Sequence, residues 1–435
     1  MKLNLKQGRL VDPVSGRDET VDILIVDGRI EKIAKIVSSD KSFEVVDLKG
    51  KIVAPGFIDI HVHLREPGFE HKETIETGCA SAAAGGFTAV CCMPNTSPAI
   101  DEESVVRYII EKGRQVCEGI VDVYPIAAAT KGRQGEELAP MAELVDAGAV
   151  GFTDDGSPIA SAEIMRRAFE YSSMYGRPVI QHAEDQTMTR GGVMNEGFVS
   201  TRLGMPGIPR VAEEIMVQRD LALLRYVPKA RYHVAHISTK ETLECVRAGK
   251  KEGLQVTCEV TPHHFTLTDD AVVEFDTNTK MNPPLRTRDD ILAIKEGLKD
   301  DTIDVIATDH APHTIDEKEV EYVEAPFGIV GLETAIGLAI SELVETKYLS
   351  LYRLIEKLSS NPRKVLSLPQ IRIQHGEEAN LTILDPSIEW QVDRESFKSK
   401  SKNSPFHGRR LKGKAMAIMN NGRFLTFQPF RRSEF

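Results

Sequence analysis

Two histidines and an arginine alternate along one short apolar segment of the chain. His61, His63 and Arg65 occupy every second position of the segment 58–65, and Ile60, Val62 and Leu64 occupy the other positions. Because successive side chains of a β-strand point to opposite faces, this spacing predicts a strand that presents all three polar groups on one face. Two imidazoles about 7 Å apart can bind one metal ion, and a guanidinium can hold a carboxylate through paired hydrogen bonds. The segment therefore predicts metal chemistry on an anionic substrate.

Residues of the same kind end four further apolar runs of the chain. They are Asp154, Asp155, His182, His236 and Asp309. A single histidine at the end of a strand is more often a hydrogen-bonded packing residue than a metal ligand. Five strand ends that each supply His or Asp are harder to explain by packing, because buried ionisable groups are costly unless they are paired or bind metal. The mixture of imidazoles and carboxylates favours zinc or another borderline divalent ion over calcium or a thiolate site.

Eight apolar segments of β-type composition alternate with helical patterns. The predicted strands are 53–64, 87–94, 121–129, 149–155, 177–183, 231–237, 254–261 and 302–308, and the predicted helices include 101–117, 161–175, 210–226, 239–252, 287–299 and 330–346. Strands that alternate with helices pair in parallel, and eight such units fit an α/β fold of the (β/α)8 TIM-barrel type over residues 53–369. A doubly wound sheet is the alternative, but the chain lacks a glycine-rich dinucleotide loop.

The two ends of the chain have a different pattern. Residues 1–52 and 370–435 contain short alternating strands, with hairpin-turn sequences at Val26–Arg29 and Asn420–Arg423. An Asp-Gly or Asn-Gly pair between two such strands is typical of a tight hairpin turn. The pattern predicts that both ends pair with each other in a small β-sandwich domain.

The composition excludes several classes of function. The chain has 435 residues, of which 41% are hydrophobic, and a formal net charge of −11 argues against general nucleic-acid binding. We find no apolar run of about 18 residues and no segment typical of a signal peptide, so we expect no association with a membrane. None of the six cysteines has C-x-x-C spacing. Reduced, buried thiols predict a cytoplasmic protein.

Taken together, these motifs resemble the amidohydrolase superfamily and, within it, the class I dihydroorotases, which are cyclic-amide hydrolases. The resemblance runs over essentially the whole chain. The stretches that carry it are Pro55–Asp59, His61–Gly68, Met93–Thr96, Phe152–Gly156, Asn282–Arg286 and Ala307–His313.

The resemblance implies a binuclear zinc centre. His61, His63 and Asp309 would bind one Zn²⁺, and His182 and His236 would bind a second. Most binuclear members of the superfamily bridge the two ions with a carboxylated lysine on strand four, and this chain has two aspartates there. Strand parity allows only one of them to face the metals without selecting which; the resemblance selects Asp155.

The resemblance also implies a substrate and a reaction. Arg65, Asn95 and His313 would surround a carboxylate beside His63, while Asn282 and the backbone of Phe327 and Gly328 would contact the amide groups of a ring; these residues are present in the chain. The reaction would be the reversible cyclisation of N-carbamoyl-L-aspartate to L-dihydroorotate and water, in pyrimidine biosynthesis. Asp309 would act as general base and then general acid, and residues 311–327 would form a lid over the site.

Two other functions remain open at this point. An allantoinase or hydantoinase would use a similar metal centre, although Met93–Thr96 and the aspartate on strand four favour a dihydroorotase. A non-catalytic partner of aspartate transcarbamoylase is the alternative from a different class, and the intact set of metal ligands argues against that as the sole role. Association with aspartate transcarbamoylase as an additional role and assembly into a homodimer are both compatible with the sequence.

Overall fold

The computed structural model describes residues 1–427 and shows a mixed α/β chain. Its strands are β1 (Lys2–Asp12), β2 (Arg17–Val26), β3 (Arg29–Ala34), β4 (Glu44–Asp47), β5 (Ile52–Pro55), β6 (Phe57–Val62), β7 (Phe87–Cys92), β8 (Asp122–Pro125), β9 (Val179–Gln181), β10 (Met194–Asn195), β11 (Gly207–Ile208), β12 (Tyr232–Val234), β13 (Val256–Val260), β14 (Val305–Ile306), β15 (Leu381–Gln391), β16 (Arg410–Asn420) and β17 (Arg423–Thr426).

The α-helices lie mostly between the strands in the middle of the chain. They are α1 (Ile75–Ala84), α2 (Glu103–Gln115), α3 (Met141–Ala147), α4 (Ala162–Ser173), α5 (Gln186–Thr189), α6 (Phe198–Leu203), α7 (Val211–Tyr226), α8 (Lys240–Lys251), α9 (Arg288–Lys299), α10 (Ile315–Lys318), α11 (Ala335–Ala339), α12 (Leu351–Ile355) and α13 (Asn361–Val365). Short 3₁₀ turns occupy Val116–Gly119, Lys131–Arg133, Asp269–Val272, Thr277–Thr279 and Arg394–Ser396, and π-helical turns occupy Ile340–Val344 and Glu356–Ser360.

The central strands are parallel and buried. β6, β7 and β8 form one sheet, and β9, β12, β13 and β14 form another. Isolated parallel bridges join Ala127 to Phe152, Phe152 to Val179, and Val62 to His310. The side chains of β6, β7 and β13 are mostly apolar and nearly all buried, as expected where helices cover a parallel sheet.

The predicted fourth strand, 149–155, is reduced in the structure to the bridges of Phe152. The carboxylate of Asp154 accepts hydrogen bonds from the backbone N–H groups of Ala129 and Thr130, at 2.9 and 3.0 Å. These bonds tie residue 154 to the loop after β8, so the chain leaves the sheet direction soon after Phe152.

Strands from both ends of the chain form a separate sheet. Its order is β17-β16-β15-β5-β1-β2-β3, and β4 pairs with β1. The turns predicted at Val26–Arg29 and Asn420–Arg423 join β2 to β3 and β16 to β17. One face buries a cluster that includes Leu3, Ile23, Leu381 and Met419. Hydrogen bonds join all eight strands into one continuous sheet, because β5 pairs with both β1 and β15. The pairing of the two chain ends agrees with the sequence, and the β-sandwich arrangement stays a prediction.

Gly56 is the junction between the two parts of the structure. The single strand predicted over 53–64 is divided there into β5, which belongs to the terminal sheet, and β6, which carries the histidines. A Cβ atom at residue 56 would overlap the side chains of Asn380 and Thr88. Only glycine allows the chain to pass between these side chains, so this residue sets where β6 begins.

Helices pack on the outside of the parallel strands through one apolar face each. Helix α8, for example, buries Leu243 and Val246. Its N-cap is Thr239, whose side chain accepts a hydrogen bond from the backbone N–H of Thr242. The helix predicted over 330–346 begins later, at Ala335, because Ile329 and the N–H of Gly331 are bonded to His310. Among residues 1–427, no helix combines the length and apolar character that a membrane span requires.

Candidate metal centre and adjoining substrate site

The six predicted metal ligands converge at one end of the parallel strands. His61 lies on β6, His182 follows β9, His236 follows β12, and Asp309 follows β14. His63 and Asp155 complete the group, and all six residues are buried. Because parallel strands present their carboxyl ends at one edge of the sheet, residues far apart in sequence meet here.

One part of the cluster contains His61, His63 and Asp309. Asp309 Oδ1 lies 2.9 Å from His63 Nε2 and 3.4 Å from His61 Nε2. These three side chains place one potential ligand atom each within 4.8 Å of one another. The geometry is that of a group able to hold a metal ion.

Asp155 connects this part to a second group. Its Oδ1 lies 3.5 Å from His61 Nε2 and 3.8 Å from His236 Nε2, while its Oδ2 lies 3.6 Å from His63 Nε2. His182 Nδ1 is 3.0 Å from His236 Nε2. Asp154, the neighbour that parity could not exclude, is bonded to the loop after β8. The structure therefore brings Asp155, and not Asp154, into the cluster.

The outer nitrogen atoms of three histidines have their own partners. His61 Nδ1 lies 2.6 Å from Glu259 Oε1, His63 Nδ1 lies 2.9 Å from Asn95 Oδ1, and His182 Nε2 lies 3.0 Å from Glu184 Oε2. An acceptor on one ring nitrogen sets the tautomer and leaves the other nitrogen free as a ligand atom. Each ring therefore directs its other nitrogen towards the centre of the cluster.

Glu259 and Glu184 are two functional residues that the sequence did not predict. Glu259 is the one charged residue within the buried apolar strand β13, and that isolated carboxylate was the available signal. Glu184 stands two residues after His182, and its Oε2 also accepts a hydrogen bond from Asn282 Nδ2 at 3.0 Å.

Burial and the charges of neighbouring groups have opposite effects on the pKa values of the buried histidines and carboxylates. Burial lowers the pKa of His61, but the carboxylates of Asp309, Glu259 and Asp155 outweigh it and raise that pKa well above its ordinary value. Burial raises the pKa of Glu259, but His61 and His233 lower it to about 2. Likewise, burial raises the pKa of Asp309, and His61 and His63 bring it below its ordinary value. The carboxylates are therefore charged and surrounded by imidazoles.

These residues fit a divalent metal ion. Within residues 1–427, His61 Nε2 and Asp155 Oδ1 are buried side-chain atoms that lack a hydrogen-bond partner. An unpaired buried polar atom is costly, and both atoms point into the cluster. Imidazole nitrogens together with carboxylate oxygens form a donor set suited to a borderline divalent ion.

An electropositive group adjoins the metal ligands on the side of Arg65. Arg65 Nη2 lies 3.3 Å from His313 Nε2, and Arg65 Nε donates to the carbonyl of Pro312. Burial lowers the pKa of Arg65 to about 10, which leaves the guanidinium charged at neutral pH. Asn95 reaches the same region through its bond to His63. Arg65 and His313 are thus in contact with each other, and Asn95 contacts the predicted metal ligand His63.

Asn282 and Phe327 lie on a second side of the site, and Gly328 follows Phe327 in the chain. Asn282 and Phe327 line an open cavity of about 1200 Å³ together with Glu184 and Lys280. The Gly328 N–H donates to the carbonyl of Lys280, and the Gly328 carbonyl accepts from Asn403 Nδ2. The backbone groups of Gly328 therefore already have protein partners, which fixes the residue that follows the predicted lid 311–327.

Three further histidines lie near the site. His264 bonds to Thr261 Oγ1 and to the carbonyl of Pro283, which gives it a structural role. His310 Nε2 lies 3.3 Å from Glu73 Oε2. His263 Nε2, by contrast, is buried without a partner in the described part of the chain.

The chain is similar in sequence to known proteins over most of its length. A family model described as dihydro-orotase-like matches residues 50–242. The chain is 52% identical to a dihydroorotase of Pelotomaculum thermopropionicum, over 97% of this chain and 98% of that protein. It is 51% identical to a dihydroorotase of Acetivibrio thermocellus, over 96% and 97% of the two chains.

Solved structures resemble the chain over nearly its whole length. An L-hydantoinase (dihydropyrimidinase) from Arthrobacter aurescens has a TM-score of 0.85 at 27% identity, covering 98% of this chain and 96% of the other. A dihydropyrimidinase from Brevibacillus agri has a TM-score of 0.81 at 19% identity, covering 98% and 95%. At that low identity the second likeness concerns the fold alone.

Proposed function

This chain belongs to the dihydroorotase family, and from that membership we propose how its residues interconvert N-carbamoyl-L-aspartate and L-dihydroorotate. The chain acts as a dihydroorotase, a hydrolase of a cyclic amide. The observation that carries the proposed site is the convergence of four imidazoles on Asp155 and Asp309, with His61 Nε2 and Asp155 Oδ1 unpartnered.

We infer that the parallel strands close into a (β/α)8 barrel. The bridges of Phe152 connect β8 to β9, and the bridge between Val62 and His310 connects the end of β14 back to β6. The likeness to the L-hydantoinase from Arthrobacter aurescens supports the same architecture. In such a barrel the carboxyl ends of the strands carry the active site, which is where the histidines lie.

His61, His63 and Asp309 would hold one Zn²⁺, and His182 and His236 would hold a second, with Asp155 shared between them. The sharing is supported by the two oxygen atoms of Asp155, since Oδ1 faces His61 and His236 while Oδ2 faces His63. When bound, such ions supply Lewis-acid activation of water and of the amide carbonyl.

Asp309 is the proposed proton shuttle. Its carboxylate is charged in the free site, so it can accept a proton from the attacking water in the hydrolytic direction. The same group then delivers that proton to the departing ring nitrogen. In the cyclisation direction the order is reversed.

The substrate carboxylate would bind to Arg65, Asn95 and His313. The guanidinium of Arg65 and the imidazole of His313 supply donors, and His63 holds Asn95 beside them. Asn282 and the backbone of Phe327 and Gly328 would orient the amide groups of the ring; at Gly328 this falls to the carbonyl, which can accept a second hydrogen bond beside that from Asn403, because the N–H already donates to Lys280. Residues 311–327 would act as the lid, and the bonds between Gly328, Lys280 and Asn403 hold the end of that segment.

A hydantoinase-type activity is the second candidate, because the L-hydantoinase from Arthrobacter aurescens shares the fold at 27% identity. Purified protein should therefore be assayed with L-dihydroorotate, hydantoin, dihydrouracil and allantoin, and its metal content measured. We expect turnover of L-dihydroorotate, about two zinc ions per chain and loss of turnover on chelation. Turnover of hydantoin without turnover of L-dihydroorotate would contradict the proposal.

A cytoplasmic location, a homodimer and association with aspartate transcarbamoylase stay predictions from the sequence. Gel filtration of the protein alone, and then mixed with aspartate transcarbamoylase, tests the last two. Elution of this protein at the monomer position in both experiments would contradict both predictions.

A further inference from the structure

Lys72 and Glu317 both face the same nitrogen atom of His313. Lys72 Nζ lies 3.4 Å from His313 Nδ1, and Glu317 Oε2 lies 3.2 Å from it. Lys72 and Glu317 also form an ion pair at 2.7 Å. One partner can only donate a hydrogen bond and the other can only accept one. This arrangement allows His313 Nδ1 to be either protonated or unprotonated.

The position of this pair is well defined. Glu317 lies on α10, where its side chain accepts from the Thr314 N–H at 3.1 Å in a capping box. The main chain at His313 is also held, because the backbone N–H of His313 donates a hydrogen bond to Asn403 Oδ1. The side chain of Lys72 is only 16% exposed. The side chains of Lys72, His313 and Glu317 therefore form a compact, partly buried cluster next to Arg65.

The imidazole of His313 is neutral in this setting. Burial and the positive charges of Arg65, Lys72 and Lys318 lower the pKa of His313 to about 2. A neutral imidazole carries one proton, so only one of its nitrogens donates. When Nδ1 donates to Glu317, Nε2 is an acceptor, and the Nη2 group of Arg65 lies 3.3 Å from it. When Nδ1 accepts from Lys72, Nε2 carries the proton instead.

We propose that Lys72 and Glu317 set the tautomer of His313, so that its Nε2 accepts from Arg65 in the free protein and donates to the substrate carboxylate in the complex. Lys72 and Glu317 are thus positioning residues, and they contribute to specificity for an anionic substrate. The proposal rests on the function proposed above. It also fits the charge: Arg65, Lys72 and Lys318 outnumber Glu317 around His313, and this excess of positive charge suits a carboxylate.

Steady-state kinetics with L-dihydroorotate test the proposal through two variants with opposite expected effects. Lys72→Met removes the donor to Nδ1, so the ring stays protonated at Nδ1, and we expect KM to rise about tenfold with a smaller change in kcat. Glu317→Gln weakens the acceptor, so the tautomer protonated at Nε2 becomes easier to form, and KM stays constant or falls. Lys72→Arg restores the donor and should recover most of the loss.

The control is Lys131→Met, which removes an exposed lysine of the ion pair with Glu137. We expect it to leave KM and kcat unchanged. If Lys72→Met and Glu317→Gln raise KM alike, the pair has only a structural role and the proposal is wrong. An unchanged KM in Lys72→Met would also overturn it.

Long-range ¹⁵N–¹H NMR of histidine-labelled protein reports the tautomer directly, with His313→Gln used for assignment. We expect His313 to be protonated at Nδ1 in the free protein and at Nε2 when L-dihydroorotate and N-carbamoyl-L-aspartate are present at equilibrium. Turnover by the parent protein with an unchanged tautomer would overturn this inference alone. Absence of both turnover and binding in the parent protein would overturn the proposed function instead.

Discussion

Glu259 Oε1 lies 2.6 Å from His61 Nδ1, and both side chains are completely buried. The same carboxylate lies 3.2 Å from His233 Nε2 through its other oxygen. Glu259 therefore holds the His61 ring in the tautomer whose Nε2 faces Asp155 and Asp309. Glu259 thus orients one of the predicted metal ligands without being among them.

Replacing Glu259 with glutamine should weaken metal binding. Glutamine keeps the size of the side chain but loses the charge that orients His61, so we expect zinc affinity to fall about 10- to 100-fold. Competition with a chelating dye measures this affinity. Glu252→Gln, on the exposed C-terminal end of α8, is the matched control, and an equal affinity in both variants would remove Glu259 from this role.

Replacing Asp309 with asparagine should abolish turnover while the protein stays folded. Asparagine keeps the shape of the side chain but cannot take up the proton, so kcat should fall by about 10²- to 10⁴-fold. Stopped assays with L-dihydroorotate measure kcat, and circular dichroism checks the fold. Asp316→Asn, at an exposed position of α10, should retain activity. Near-normal kcat in Asp309→Asn would exclude the proton-shuttle role.

Gly328→Ala should impair substrate binding. Residue 328 has φ +152°, and a Cβ atom there would lie 2.7 Å from the carbonyl oxygen of Ala311 and 2.8 Å from His313 Cδ2. The contact must displace His313 or the lid, so we expect a loss of about 1–3 kcal/mol in stability and a raised KM. Urea denaturation and steady-state kinetics measure the two effects.

Gly204→Ala separates backbone strain from this contact. Gly204 also has positive φ, at +66°, but no atom lies within 4 Å of the position its Cβ would take. We expect lower stability with an unchanged KM. A raised KM in Gly204→Ala as well would show that the effect of Gly328→Ala is not specific to His313.

Asp220 should make the free energy of unfolding depend on pH. Burial raises its pKa to about 6, although Arg219 and Tyr232 partly oppose this. A raised folded-state pKa means that the contribution to stability is present below pH 4 and is lost as pH rises through 6. The loss amounts to about 3 kcal/mol at most.

Asp220→Asn removes this group, so the variant should gain stability relative to the parent protein between pH 4.5 and pH 7.5. Urea denaturation at both pH values, at constant metal concentration, gives the difference. A difference between variant and parent that is equal at the two pH values would contradict the assignment.

The sequence predicted most of the candidate site because its signals are local. Polar residues at the ends of apolar runs marked His61, His63, His182, His236 and Asp309, and the structure brings these five residues together. The family resemblance selected Asp155 over Asp154. Only the structure gives the distances from Asp155 to the histidines. The alternation of strands and helices likewise follows from short-range periodicity, which each segment carries by itself.

Contacts between distant segments could not be predicted in this way. His61 and Glu259 are 198 residues apart, and Lys72 and His313 are 241 residues apart. Two features of the fold also depend on contacts between distant segments. The chain passes between Asn380 and Thr88 at Gly56, and the fourth strand is shortened. The sequence by itself determined which side chains could do the chemistry. Tertiary structure decided their partners, tautomers and charges, because these depend on which distant groups the folded chain brings within hydrogen-bonding distance.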